Sequence, residues 1–101
     1  MVVFRASGGP GIGNGHIMRC LSLAQGLHEH GWFSLLAAPE KMFSAVPQAH
    51  KFDRTLPLAN SVDEVQKLSE AVTGEAELLV VDDYALDIQF EKPCRAWARK
   101  I

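Results

Sequence analysis

The stretch GGPGIGNGH, residues 8–16, sets five glycines directly before a histidine, between an apolar run and a helix-like run. Bare backbone at Gly11, Gly13 and Gly15 lets the chain turn through positive φ and approach a ligand closely. The helix that follows presents unpaired N–H groups and the positive end of its dipole, which suits an anion or a developing negative charge. His16, in the first turn of that helix, is the residue best suited to proton transfer. The dipole favours a neutral imidazole that accepts a proton, a bound diphosphate favours the cation, and the sequence leaves the balance open. A second polar group, Asp82, Asp83 and Tyr84, closes the apolar run at residues 78–81 and is expected at the same edge of a sheet. Arg5 and Arg19 lie on either side of the glycine loop, and Arg19, one turn beyond His16, is placed either to face an anion or to pair with an acid. The plain alternatives are a tight strand-to-helix turn without a ligand and a solvated strand-end turn.

Two familiar glycine motifs fail. A dinucleotide fingerprint beginning at Gly11 needs glycine or alanine where His16 stands, and a Walker loop needs lysine after its last glycine. No cofactor is expected. His28, His30 and His50 read as surface or structural residues. Cys20 and Cys94 have no CxxC spacing and read as free thiols used for packing, and no set of His, Cys, Asp and Glu has metal-ligand spacing.

The elements that must position these groups follow from periodicity. Residues 2–4 form a short apolar strand. Ile17, Met18, Leu21, Ala24, Leu27 and His28 recur at helical spacing over about four turns, with Met18, Leu21, Leu23 and Leu27 as core candidates and Gly31 as the C′ stop. Residues 33–38 form the next strand, so the first unit is strand, helix, strand, with parallel pairing. A short helix at 40–46, a weak edge strand at 51–56 and a helix at about 61–73, capped by Ser61 with Glu64 and closed by Gly74, come next. Residues 78–81 read as a central strand buried on both faces. Asp87 is a cap for a last helix, which Pro93 either kinks or delays to about residue 92. The alternation predicts an α/β fold, a parallel doubly wound sheet of about four strands with helices on both faces. The basic end followed by Ile101 resembles the approach to another strand, so the chain is expected to stop within its domain.

Composition agrees with one globular unit: 101 residues, 48% apolar, 22% charged, net charge −2. Lys and Arg are scattered, so nucleic acid is not an expected partner. No apolar run approaches the roughly 20 residues of a membrane span, and the opening residues lack the layout of a signal peptide, which makes the cytoplasm the expected compartment.

The segment RAS…GIGNGHIMRCLSLAQGL resembles the N-terminal signature of the pseudaminic-acid pathway nucleotide-sugar hydrolases, roughly R-A-D, then I-G-x-G-H-x-x-R-C-L-x-L-A. ELLVVDDYALDIQFE resembles that family's second segment, an apolar strand, D-x-Y and a D-x-x-x-E helix start. Spore-coat polysaccharide proteins and sialic-acid pathway fusion proteins share the signature. The opening here reads Arg5-Ala6-Ser7, so a hydroxyl stands where the family has a carboxylate. The resemblance implies the N-terminal, Rossmann-like half of a glycosyltransferase-B fold over residues 1–101, with a second, UDP-holding domain that would pack against it. It implies hydrolysis of UDP-2,4-diacetamido-2,4,6-trideoxy-β-L-altropyranose at the sugar C1–O bond, without a metal or other cofactor. His16 would activate water; Gly13, Asn14 and Gly15 would shape the pocket; Tyr84, Asp82, Arg19 and Arg5 would bind substrate. Transfer to a sugar hydroxyl and a non-catalytic interaction module are the competing readings.

Overall fold

The computed structural model describes residues 1–6, 15–58, 64–72, 76–82 and 88–101. The helical spacing after the glycine loop yields α1, Gly15–His28, between β1, Val2–Ala6, and β2, Ser34–Pro39. Then come α2, Glu40–Ala45, a 3₁₀ turn at Pro47–Lys51, β3, Arg54–Leu58, α3, Glu64–Val72, β4, Leu78–Asp82, and α4, Ile88–Cys94. The four strands are all parallel, in the order β3-β2-β1-β4. This is the α/β, Rossmann-like arrangement that the alternation predicts.

Strand periodicity sorts the core into two layers. Val2, Phe4 and Ala6 of β1 and Leu36 and Ala38 of β2 pack with Ile17, Cys20, Leu21 and Ala24 of α1 and with residues of α2 and the 3₁₀ turn. Val3, Leu35, Ala37, Leu58 and Leu79 point the other way, onto Leu68 and Val72 of α3 and Cys94 at the end of α4. All five residues of β1 are buried, as a strand covered on both faces requires. Within the first layer the Phe4 and Phe52 rings meet at 5.6 Å between centroids, inclined by 59°.

The end of α1 follows its sequence signal closely. Gly31 has φ of 84°, its N–H donates to the His28 carbonyl and the Trp32 N–H donates to the Leu27 carbonyl. These two bonds make a Schellman motif with Gly31 at C′, a left-handed position that glycine adopts without a Cβ penalty.

Several expectations are corrected. The run at 78–81 is not a central strand: among the described strands β4 lies outermost, beside β1, and only Leu79 in it is fully buried. An unbroken apolar run fixes burial against neighbours but not rank within the sheet. Here the far side of β4 is met by the chain end, through a parallel bridge from Ala76 to Ala98 and a hydrogen bond from the Leu79 N–H to the Lys100 carbonyl. The edge strand starts at Arg54 rather than 51, because Pro47 opens a 3₁₀ turn through Lys51. Its Pro57 is tolerated because an edge strand can forgo one ladder donor. Phe33 lies outside β2 and is 65% exposed.

Met18 and Leu23 are not core residues, being 42% and 44% exposed. The buried stripe of α1 runs through Ile17, Cys20, Leu21 and Ala24 at i, i+3, i+4 and i+7, which turns both side chains away from it. Helix α4 is already formed at Ile88, with Pro93 in its last turn. There the proline removes a single intrahelical bond and leaves the first turn intact. Ser61, Gly74 and Asp87 lie outside the described residues. Among the described residues no helix is long and apolar enough to cross a membrane.

The layer assignment predicts unequal costs of truncation. Leu36→Ala should destabilise the protein by about 2–5 kcal/mol in urea unfolding, from lost burial plus a cavity. Leu23→Ala should stay within roughly 0.5 kcal/mol, as exposed positions do. Equal costs would contradict the assignment of the buried stripe.

Candidate functional site

In the strand order, the chain runs from β1 through α1 to β2 on one side and returns to place β4 on the other. The crevice between β1 and β4 at their carboxyl ends is therefore the topological switch point, where open α/β sheets bind ligands. The parallel register sets Ala6 opposite Asp82 at that edge. Leu78 and Val80 pack on the α1 layer, so alternation turns Asp82 toward the same helix.

Three residues of the first turns of α1 meet the Asp82 carboxylate. His16 Nδ1 lies 2.6 Å from Oδ1. Arg19 donates from Nη2 to Oδ1 at 2.9 Å and to Oδ2 at 3.1 Å, and from Nε to Oδ2 at 3.3 Å. Cys20 Sγ lies 3.8 Å from Oδ2. Exposure is graded outward: the side chains of His16 and Asp82 are 14% and 19% exposed, while that of Arg19 is 62% exposed.

The electrostatics follow from this geometry. Burial works to raise the Asp82 carboxyl, but hydrogen bonds from Arg19 and His16, together with their charges, outweigh it and hold Asp82 below its ordinary value. Asp82 is thus an ionised acceptor near neutral pH. The proton shared with His16 consequently resides on Nδ1, which in the neutral ring leaves Nε2 as the acceptor nitrogen. Cys20 behaves in the opposite sense. Burial first, then the charge of Asp82 and the bond to it, push the thiol up to about 12 against a weaker pull from Arg19. A thiol held neutral in this way is a weak donor to the carboxylate rather than a nucleophile.

Of the residues singled out in the sequence, the fold brings together His16, Arg19 and Asp82. Gly15 opens α1 beside them, with nothing within 4 Å of where a Cβ would stand. Neither packing nor positive φ among the described residues requires glycine at that position. Arg5 does not join them: alternation on β1 directs it, with Val3, to the opposite face, where it is buried and donates to the Ala6 carbonyl at 3.0 Å. Gly13, Asn14, Asp83 and Tyr84 lie outside the described residues, as does Ser7. Sequence reasoning missed the part played by Cys20, assigned there to packing alone. The available signal was its spacing, four residues after His16 on one helix face.

The remaining histidines stand apart from this site. His50 Nε2 donates to the Phe43 carbonyl at 3.0 Å, and His28 Nδ1 lies 3.9 Å from an Asp53 oxygen. A cleft of about 310 Å³ beside His28 and Asp53 opens at the other end of α1, and His16 takes no part in it. No family model, curated protein or solved structure matches this chain.

Two outcomes check the electrostatics. In the folded protein at about pH 8, Cys20 should resist alkylation by iodoacetamide and react only after denaturation, because so little thiolate forms; peptide mass mapping reads this directly. Because the folded-state value of Asp82 is depressed, its stabilising contribution is present above the ordinary carboxylate value and is lost as pH falls through the folded-state value. Asp82→Asn should therefore flatten the drop in Tm below about pH 4. An unchanged acid limb in that variant would count against the pairing.

Proposed function

We propose that this chain is the histidine-bearing, glycosyltransferase-B-like half of a nucleotide-sugar hydrolase, acting on a UDP-linked diacetamido-trideoxyhexose. The observation that carries the reading is the 2.6 Å pairing of His16 with Asp82 at the switch point of the parallel sheet. A base of this kind, with its proton on Nδ1 and a carboxylate behind it, is what water activation requires.

In the proposed reaction His16 Nε2 accepts a proton from a water molecule as its oxygen attacks sugar C1. The C1–O bond to the diphosphate breaks, and its electron pair leaves with the β-phosphate oxygen of UDP. Asp82 stabilises the imidazolium that forms. Tyr84, two residues after Asp82, is assigned to the sugar, with Gly13, Asn14 and Gly15 shaping the pocket. A second domain would hold most of the UDP and complete the cleft. The cytoplasm, where nucleotide sugars are made and used, is the compartment proposed.

The test uses the full natural chain with the UDP-linked sugar in water enriched in oxygen-18. UDP free of label together with free sugar is expected, since C1–O cleavage delivers solvent oxygen to the sugar. Label in UDP would mean attack at phosphorus and overturn the mechanism, and turnover only with an added sugar acceptor would indicate transfer. His16→Ala should lower kcat by about a hundredfold or more with little change in KM.

A further inference from the structure

The family resemblance implies that Arg19 binds substrate, and its spacing alone suits an anion or an acid equally; the geometry gives it the acid. We infer that Arg19 is a positioning residue for the His16 base, acting through Asp82; as a statement about catalysis, this rests on the hydrolase reading above. Two nitrogen donors converge on one acceptor here. Arg19 Nη2 lies 3.1 Å from His16 Nδ1, and both approach Asp82 Oδ1, at 2.9 and 2.6 Å. A carboxylate serves both only when it is ionised and held at a fixed angle. Its own backbone fixes just one end of the side chain, at the last residue of β4. The Nε and Nη2 groups of Arg19 grip the other end as a planar fork, with contacts to both oxygens. Such a fork sets orientation in a way that a single point charge does not.

Fixing the carboxylate fixes the imidazole. With Asp82 clamped, the ring is held in the Nδ1–H form and its plane is set by the short bond to Oδ1, which aims Nε2 at one point of the crevice. Arg19 thus contributes to proton transfer without having to touch the substrate. It lies one turn beyond His16 on the same helix, α1, so base and clamp move as one unit.

The experiment combines kinetics with histidine NMR on the full natural chain, its His16 signals assigned by their loss in His16→Gln. With the ring neutral, the wild type should show a protected, downfield Nδ1–H proton and an Nε2 that carries none. In Asp82→Asn the carboxamide and Arg19 both offer donors to Nδ1, and the ring proton should move to Nε2. In Arg19→Gln the downfield signal should broaden through faster exchange, and kcat should fall about tenfold with KM held within about twofold. Arg19→Lys keeps the charge without the fork and should recover less than half of the lost turnover.

The inference is overturned if Arg19→Gln leaves the His16 signals unchanged and raises KM alone, as loss of a substrate contact would, or if lysine restores turnover completely. Should Arg19→Gln not fold, the lysine variant, judged by the same signals, decides. Should no hydrolysis be found while the His16 signals respond as described, the clamp stands and the functional reading fails.

Discussion

The parallel pairing of β1 with β4 is the constraint on which the site depends. It sets Asp82 beside Ala6 at the carboxyl edge, within reach of the helix that leaves β1. A shift of one residue in that register would turn Asp82 to the α3 and α4 face, because side chains alternate along a strand. The apolar residues of β4 prevent the shift. Leu79 is buried in one layer, and Leu78 and Val80 pack on the other. The position of a charged group at the edge is thus enforced by apolar neighbours inside the sheet.

Helix α1 meets this edge under a similar constraint. Its buried stripe, Ile17, Cys20, Leu21 and Ala24, fixes the rotation of the helix against the sheet. That rotation carries His16, Arg19 and Cys20, at i, i+3 and i+4, toward the end of β4. One helix therefore presents an imidazole, a guanidinium and a neutral thiol to a single carboxylate. A carboxylate largely covered from water is costly to leave unpaired, and three donors from one rigid element satisfy it with little further loss of freedom. The same contacts tie the start of α1 to β4.

Much of this was legible in the sequence for reasons that can be named. Period and punctuation give element types: Gly31 marks the end of α1 because only a left-handed C′ residue closes that motif, and the histidine after the glycine loop falls in the first turn of the helix. Other features were hidden because no local pattern encodes them. The outermost rank of β4 depends on which strands pair, and an apolar run reads the same in a central strand as in one covered at its edge by the chain end. The side of β1 that carries Arg5 was unreadable because both faces of that strand are covered. Apolar type misled at Met18 and Leu23, where only the choice of buried stripe separates core from surface. The partner of Arg19 is another long-range fact: an arginine one turn after a histidine suits an anion and a carboxylate equally until the register of β4 supplies the carboxylate.

The gradient of exposure across the site sets how strongly each of its groups interacts. The imidazole and the carboxylate are largely withdrawn from water, where their interaction is strong, while the guanidinium that balances the carboxylate stays mostly in solvent. A fully buried arginine would add a large desolvation cost, and a fully exposed carboxylate would hold the imidazole weakly. With the cation outside and the carboxylate between, the charge behind His16 is balanced from the solvent side. The first turn of α1 thereby supplies the imidazole, and its next turn supplies the guanidinium that steadies the carboxylate behind it.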